Sequence, residues 1–149
     1  MAVDFKVVLD CSRPQAQASF WAQAMGYLVE DHSALIEQLL TAGALPEQAT
    51  VEVDGRRAFA DLAAVRHPDD PYDERSGAGS GRRILFQRVP EPKTVKNRVH
   101  LDLHYGTDKI GAEAERLVAI GATVLGRFSE QGSTWITLAD PEGNEFDLA

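Results

Sequence analysis

The densest run of chemistry-bearing side chains is Arg98-Val99-His100-Leu101-Asp102-Leu103-His104. Strict alternation of polar and apolar types predicts a β-strand, so Arg98, His100, Asp102 and His104 share one face and Val99, Leu101 and Leu103 the other. Glu145-Phe146-Asp147-Leu148 repeats the pattern, with two carboxylates on one face and two apolar side chains opposite. An imidazole beside a carboxylate can act as a general base, donate a hydrogen bond to a substrate, or form a satisfied polar pair, and the residue types leave all three open. For Asp102 and His104 the plain alternative is a solvated sheet face. His104 lies four residues along the strand from His100, about 13 Å away at roughly 3.3 Å per residue, too far for the two to share an ion.

Other reactive types are more isolated. Lys6 reads as a lysine at a strand start whose stem covers apolar surface, or as an ammonium paired with Asp10 or Asp147. Trp135 shares strand parity with Thr137, so it either packs or floors a pocket. Cys11 is the single cysteine, which rules out an internal disulfide, and with no histidine near it in sequence it reads as an inert thiol. Gly77, Gly79 and Gly81, with Ser76 and Ser80, do not follow a strand and open a helix, so they predict a flexible loop rather than a phosphate cradle.

The elements that must position these residues form a repeat. Phe5 to Asp10 alternates as a strand, and Ser12-Arg13-Pro14-Gln15 has capping-box spacing before a helix. That helix buries Ala16, Phe20, Trp21, Ala24 and Met25 and stops at Gly26, and Tyr27 to Glu30 returns as a strand. The same order recurs with the strand Val99 to His104, a helix capped by Thr107 or Asp108 and burying Ile110, Ala114, Leu117 and Val118, a stop at Gly121, and a strand over 122–125. The two stop glycines lie 95 positions apart. Thr134 to Leu138 and Glu145 to Leu148 complete a β-α-β-β-β pattern in the second half, joined by the turn Asp140 to Asn144. In the first half Phe59 to Val65 and Ile84 to Arg88 are the matching strands. An inserted helix over Ser33 to Ala42 and a mobile loop over Asp69 to Gly81 fall in the extra segment 31–81. The expected organisation is one domain of two modules, about 5–88 and about 97–149, related by a pseudo-twofold axis.

Composition narrows the partners. Fifteen basic against 23 acidic side chains give a net charge of -8, which argues against nucleic acid and suits cationic ligands. No apolar run approaches the roughly 20 residues of a membrane helix, and no charged and then apolar leader is present, so a cytoplasmic setting is expected.

The duplicated β-α-β-β-β, with Phe20-Trp21 before Gly26-Tyr27, with Ile120-Gly121-Ala122, and with Asp140-Pro141-Glu142-Gly143-Asn144-Glu145-Phe146, resembles the vicinal oxygen chelate superfamily of glyoxalase I, bleomycin-resistance proteins and extradiol dioxygenases. The resemblance is to its small bacterial glyoxalase-like members and covers Phe5 to Glu30 and Arg83 to Ala149. It implies an α+β fold in which two βαβββ modules form a curled mixed sheet around a cleft, and a homodimer. It also implies that metal-dependent members draw ligands from positions that here are Lys6 or Phe5, depending on the loop length before the helix, with Gln87, His100 and Asp147. A protonated lysine is no ligand and an amide brings no charge. The expectation is therefore a protein that binds a small organic molecule in the cleft without a tightly held metal or other cofactor, as bleomycin-resistance relatives hold a cationic drug. His100 is the catalytic candidate, with Lys6, Gln87, Asp102, His104, Trp135 and Asp147 as ligand contacts. The alternative is a metal-dependent lyase, isomerase or dioxygenase using His100, Gln87 and Asp147.

Overall fold

The computed structural model describes all 149 residues, which form an α+β fold of two compact units, Met1–Glu91 and Pro92–Ala149. The first contains β1 (Val7–Cys11), α1 (Pro14–Met25), β2 (Leu28–Val29), α2 (Ser33–Thr41), β3 (Thr50–Val53), β4 (Arg56–Phe59), β5 (Leu62–Arg66) and β6 (Arg83–Arg88). The second contains β7 (Asp102–Leu103), α3 (Ile110–Ala119), β8 (Thr123–Glu130), β9 (Ser133–Ala139) and β10 (Glu145–Leu148). The sheets run β1-β6-β5-β2 and β7-β10-β9-β8, so in each unit the first strand pairs with the last, and that pairing is parallel. Neither sheet closes into a barrel, and no helix is long and apolar enough to cross a membrane.

Each sheet buries one face under its helix. In the first unit α1 lays Ala18, Trp21 and Ala22 toward a sheet whose Val65, Ile84 and Phe86 are fully or nearly buried. In the second, Ile110, Ala114 and Leu117 of α3 are buried, as are Ile136, Leu138, Phe146 and Leu148 of the strands. The 3.6-residue period of the helices and the two-residue period of the strands thus converge on one apolar layer per unit. Gly26 ends α1 in the left-handed conformation (φ 66°), with a hydrogen bond to the Ala22 carbonyl.

Several local expectations are corrected. Gln15 does not close a capping box on Ser12; α1 has Arg13 at its cap position, and the Gln15 amide donates to the Phe59 and Leu62 carbonyls. Those carbonyls flank the turn between β4 and β5, and a tertiary acceptor wins over the local one. Likewise α3 starts at Ile110 behind Lys109, and neither Thr107 nor Asp108 caps it. The strand foreseen over Phe59 to Val65 breaks at Ala60-Asp61, because β4 belongs to a separate hairpin with β3. That hairpin turns at Asp54-Gly55 (φ 49° and 75°), a pair suited to a tight β-turn that requires positive φ twice.

The strand foreseen over Val99 to His104 is laddered only at Asp102–Leu103, with one further bond from Asp147 N–H to the Leu101 carbonyl, and Val99 is 78% exposed. The Glu145 carboxylate accepts from the Asn97 backbone N–H at 2.9 Å and from Lys93 at 3.2 Å, so the chain before Leu101 follows that side chain instead of the sheet.

The segment foreseen as a mobile loop carries its own hydrogen bonds. The Asp70 carboxylate takes the Arg82 N–H at 2.6 Å and its guanidinium at 2.7 Å, and Gly79 N–H donates to Glu30 Oε1 at 2.8 Å. Gly77 has φ +77°, and a Cβ there would stand 2.0 Å from the Asp31 carbonyl oxygen. Gly77→Ala should therefore cost about 2 kcal/mol or more. For a chain of this size that lowers the melting temperature by several degrees, readable by circular dichroism; an unchanged value would show that the loop does not press on the Asp31 carbonyl.

Candidate functional site

Parallel pairing of β7 with β10 sets Asp102 directly beside Asp147, on the sheet face opposite the buried Leu103, Phe146 and Leu148. Side chains that are register partners on neighbouring strands stand about 5 Å apart, so the two carboxylates must meet. His100, just ahead of β7, brings Nε2 to 3.3 Å from Asp102 Oδ1 and 3.6 Å from Asp147 Oδ2. One ligand-type atom from each of the three lies within 4.8 Å of the others. On the third strand, Thr137 pairs with Asp147 and its hydroxyl donates to Asp147 Oδ1 at 2.6 Å. Asp147 is thereby held in one orientation and largely covered, at 17% side-chain exposure, while His100 and Asp102 are near half-exposed.

The electrostatics favour a cation. Within this unit no lysine or arginine pairs with Asp102 or Asp147; Lys93 is engaged with Glu145. Two carboxylates therefore share one neighbour, an imidazole that is only conditionally charged. A divalent ion bound at about 2.0–2.3 Å places adjacent ligand atoms about 3 Å apart and opposite ones about 4.3 Å apart, and the observed separations suit that geometry with little adjustment. One imidazole nitrogen and two carboxylate oxygens also suit manganese, iron or zinc in donor type.

The other foreseen site residues distribute as follows. Gln87 is exposed on β6 in the first unit, in register with Asp10 and Leu62. Lys6 is exposed ahead of β1 and makes no ion pair with Asp10, and Asp147 has His100 as its ion-pair partner. His104 is exposed beyond β7 and outside the cluster, as its spacing from His100 required. Trp135 is on β9, two residues from Thr137 and on the same face, its ring stacked on Phe128 at 5.3 Å and 19°. Thr137 and Phe128 were missed as site residues. Strand parity with Asp147 and Trp135 was the signal for Thr137, whereas Phe128 needed the β8–β9 register.

Removing the Thr137 hydroxyl tests the orientation of Asp147. Thr137→Val should weaken divalent-cation binding about tenfold, the usual effect of losing a hydrogen bond to a ligand carboxylate. Titration calorimetry with Mn(II) reads this, and an unaltered affinity would show that the Thr137 hydroxyl does not orient Asp147 toward an ion.

Residues 6–149 match the family model described as a glyoxalase-like domain, and the chain belongs to that family. Solved structures in the glyoxalase/bleomycin resistance/dioxygenase, or vicinal oxygen chelate, superfamily share the fold at low sequence identity. The fosfomycin resistance protein FosX from Mesorhizobium loti has a TM-score of 0.61 at 9% identity, covering 99% of this chain and 90% of that one. A family enzyme from Burkholderia phytofirmans PsJN has a TM-score of 0.59 at 15% identity, covering 96% and 94%. A variant of FosX from Listeria monocytogenes, complexed with Mn(II) and 1S,2S-dihydroxypropylphosphonic acid, has a TM-score of 0.59 at 10% identity, covering 99% and 90%. No curated protein matches the sequence.

Proposed function

We propose that this glyoxalase-like protein binds a small, oxygen-bearing organic molecule at a divalent cation held by His100, Asp102 and Asp147. The observation that carries the reading is the convergence of one imidazole and two carboxylates, with Asp147 oriented by Thr137. It departs from the metal-free expectation because the third donor here is Asp102, whose charge the amide of Gln87 lacks. The Listeria FosX variant crystallised with Mn(II) is in keeping with a cation on this fold. When bound, such an ion polarises a ligand carbonyl or stabilises a developing oxyanion. His100 would offer its neutral Nε2, Asp147 a fixed oxygen, and Asp102 the second negative charge that balances a dication.

The test is calorimetric titration of chelator-treated protein with Mn(II) and Zn(II). One equivalent at micromolar affinity supports the reading, and no binding up to millimolar Mn(II) overturns it. A second reading, a metal-free site for an organic cation, is favoured by the Phe128–Trp135 stack on the same face as Asp147. Aromatic faces, with two carboxylates that share a single imidazole as ion-pair partner, attract such a cation. Tetramethylammonium in the presence of chelator separates the two: saturable thermal stabilisation supports the second reading, and its absence leaves the first alone.

A further inference from the structure

The extra segment builds a pocket of about 270 Å³ within the first unit, walled by α1, the end of β2, the β3–β4 hairpin and β5. Its apolar lining is Val53, Phe59 and Leu62 together with the half-exposed Val29, and the Phe59 ring leans on the His32 ring at 5.8 Å. Apart from Asp54, the charged groups that line it are internally compensated. Arg56 pairs with Asp31 at 2.8 Å, and Arg57 pairs with Glu47 at 2.6 Å and Glu37 at 3.1 Å. Glu30 pairs with Arg83 at 2.7 Å and His32 at 3.2 Å. Asp54, the remaining lining charge, sits on the exposed hairpin turn. The Gln15 amide ties the wall to the Phe59 and Leu62 carbonyls, while the Ser19 hydroxyl at the mouth is available to a ligand.

We propose that this pocket is a second ligand site, for a small, uncharged and largely apolar organic molecule of single-ring size that packs on Phe59 and hydrogen-bonds to Ser19. Size follows from volume: about 270 Å³ lies just below the roughly 300–1,000 Å³ of pockets that hold drug-sized ligands, which leaves room for a single-ring molecule. A helix or an extended peptide does not fit. Neutrality follows from the lining charges, because a charged ligand would be desolvated against Val53, Phe59 and Leu62 with every nearby counter-charge committed except Asp54, which lies on the exposed hairpin turn where water screens it. The pocket is also distinct in chemistry from the His100 cluster, whose two carboxylates select for positive charge.

The experiment is an NMR titration of the ¹⁵N-labelled full chain with benzyl alcohol, benzoate and benzylamine, three probes of one shape and different charge. Benzyl alcohol should shift the amides of Ser19, Phe59 and Ala63 saturably, with a dissociation constant on the order of a millimolar for so small a probe. Benzoate and benzylamine should bind there at least tenfold more weakly. Ser19→Phe, at an exposed helix position that tolerates size, and Ala58→Leu on β4 should each reduce the response severalfold, and Asp147→Asn should leave it unchanged. The proposal is overturned by absence of a saturable shift at these residues, by equal binding of a charged probe, by full binding in both filling variants, or by loss of binding in the Asp147 variant.

Discussion

Asp147→Asn should weaken Mn(II) binding by on the order of 100-fold or more while leaving the apo protein at least as stable as before. The substitution keeps shape and keeps an oxygen for the Thr137 hydroxyl, 2.6 Å away in the parent, but removes a full negative charge from the ion's inner contacts. At an effective dielectric near 20, one unit charge at about 4 Å already contributes about 4 kcal/mol with a single positive charge, so a hundredfold effect is a restrained figure for a dication at closer range. Stability moves the other way, because like charges set side by side across two strands repel and Asp102 is the register partner of Asp147. His100→Ala should lose binding to a similar degree by removing the nitrogen donor. Asp102→Asn, at a more exposed position, should lose roughly tenfold as water screens its charge. His104→Ala should change nothing. Calorimetry and thermal melts on the same samples read both quantities; an Asp147 variant that binds Mn(II) normally would remove this residue from the site.

Glu30→Ala should destabilise the first unit by about 3–5 kcal/mol, because it strands a buried positive partner. The Glu30 side chain is fully buried and accepts from Arg83 Nε at 2.7 Å, Arg83 Nη2 at 2.8 Å and Gly79 N–H at 2.8 Å, with His32 Nε2 at 3.2 Å. Burial alone would push its carboxyl up, but the hydrogen bonds from His32, Arg83 and Gly79 outweigh it and hold the group at about 2 against an ordinary 4.5. A depressed carboxylate contributes stability that is fully present above about pH 4.5 and lost as pH falls toward 2, on the order of 3 kcal/mol in all. His32 behaves oppositely. Burial favours its neutral form, yet Glu30 and the Ser76 carbonyl, 2.5 Å from Nδ1, raise it above 6.5. Its contribution is therefore fully present below pH 6.5 and fades as pH rises through the raised value. Urea unfolding should show this network strongest between about pH 4.5 and 6.5. Glu30→Gln should flatten the acid limb and His32→Gln the alkaline one. Parallel acid limbs in parent and Glu30→Gln would show that other carboxylates govern acid unfolding.

What the sequence determined by itself was whatever depends on neighbours a few residues away. The burial of Phe20, Trp21 and Ala24, the stop of α1 at Gly26, the alternation of Glu145 to Leu148 and the repeated order of elements are all local patterns, since helix and strand periods act within one or two turns, whereas Ala16 and Val118, expected in the helix stripes, are exposed and Met25 is half-buried. Asp54-Gly55 between alternating residues was equally local, and the hairpin it marks was readable and overlooked. What only the tertiary structure decided depends on register. Asp102 and Asp147 are 45 positions apart (147 minus 102) and meet because β7 pairs with β10 in one particular alignment, which a shift of one residue would have undone. The same pairing sets Asp102 beside His100 and Asp147, where the family resemblance had pointed to Gln87. Gln15 spending its amide on Phe59 and Leu62, and Glu30 meeting Arg83 from 53 positions away, follow the same logic. A polar group takes the partner that folding brings near, and chain closure over such distances leaves no mark in local composition.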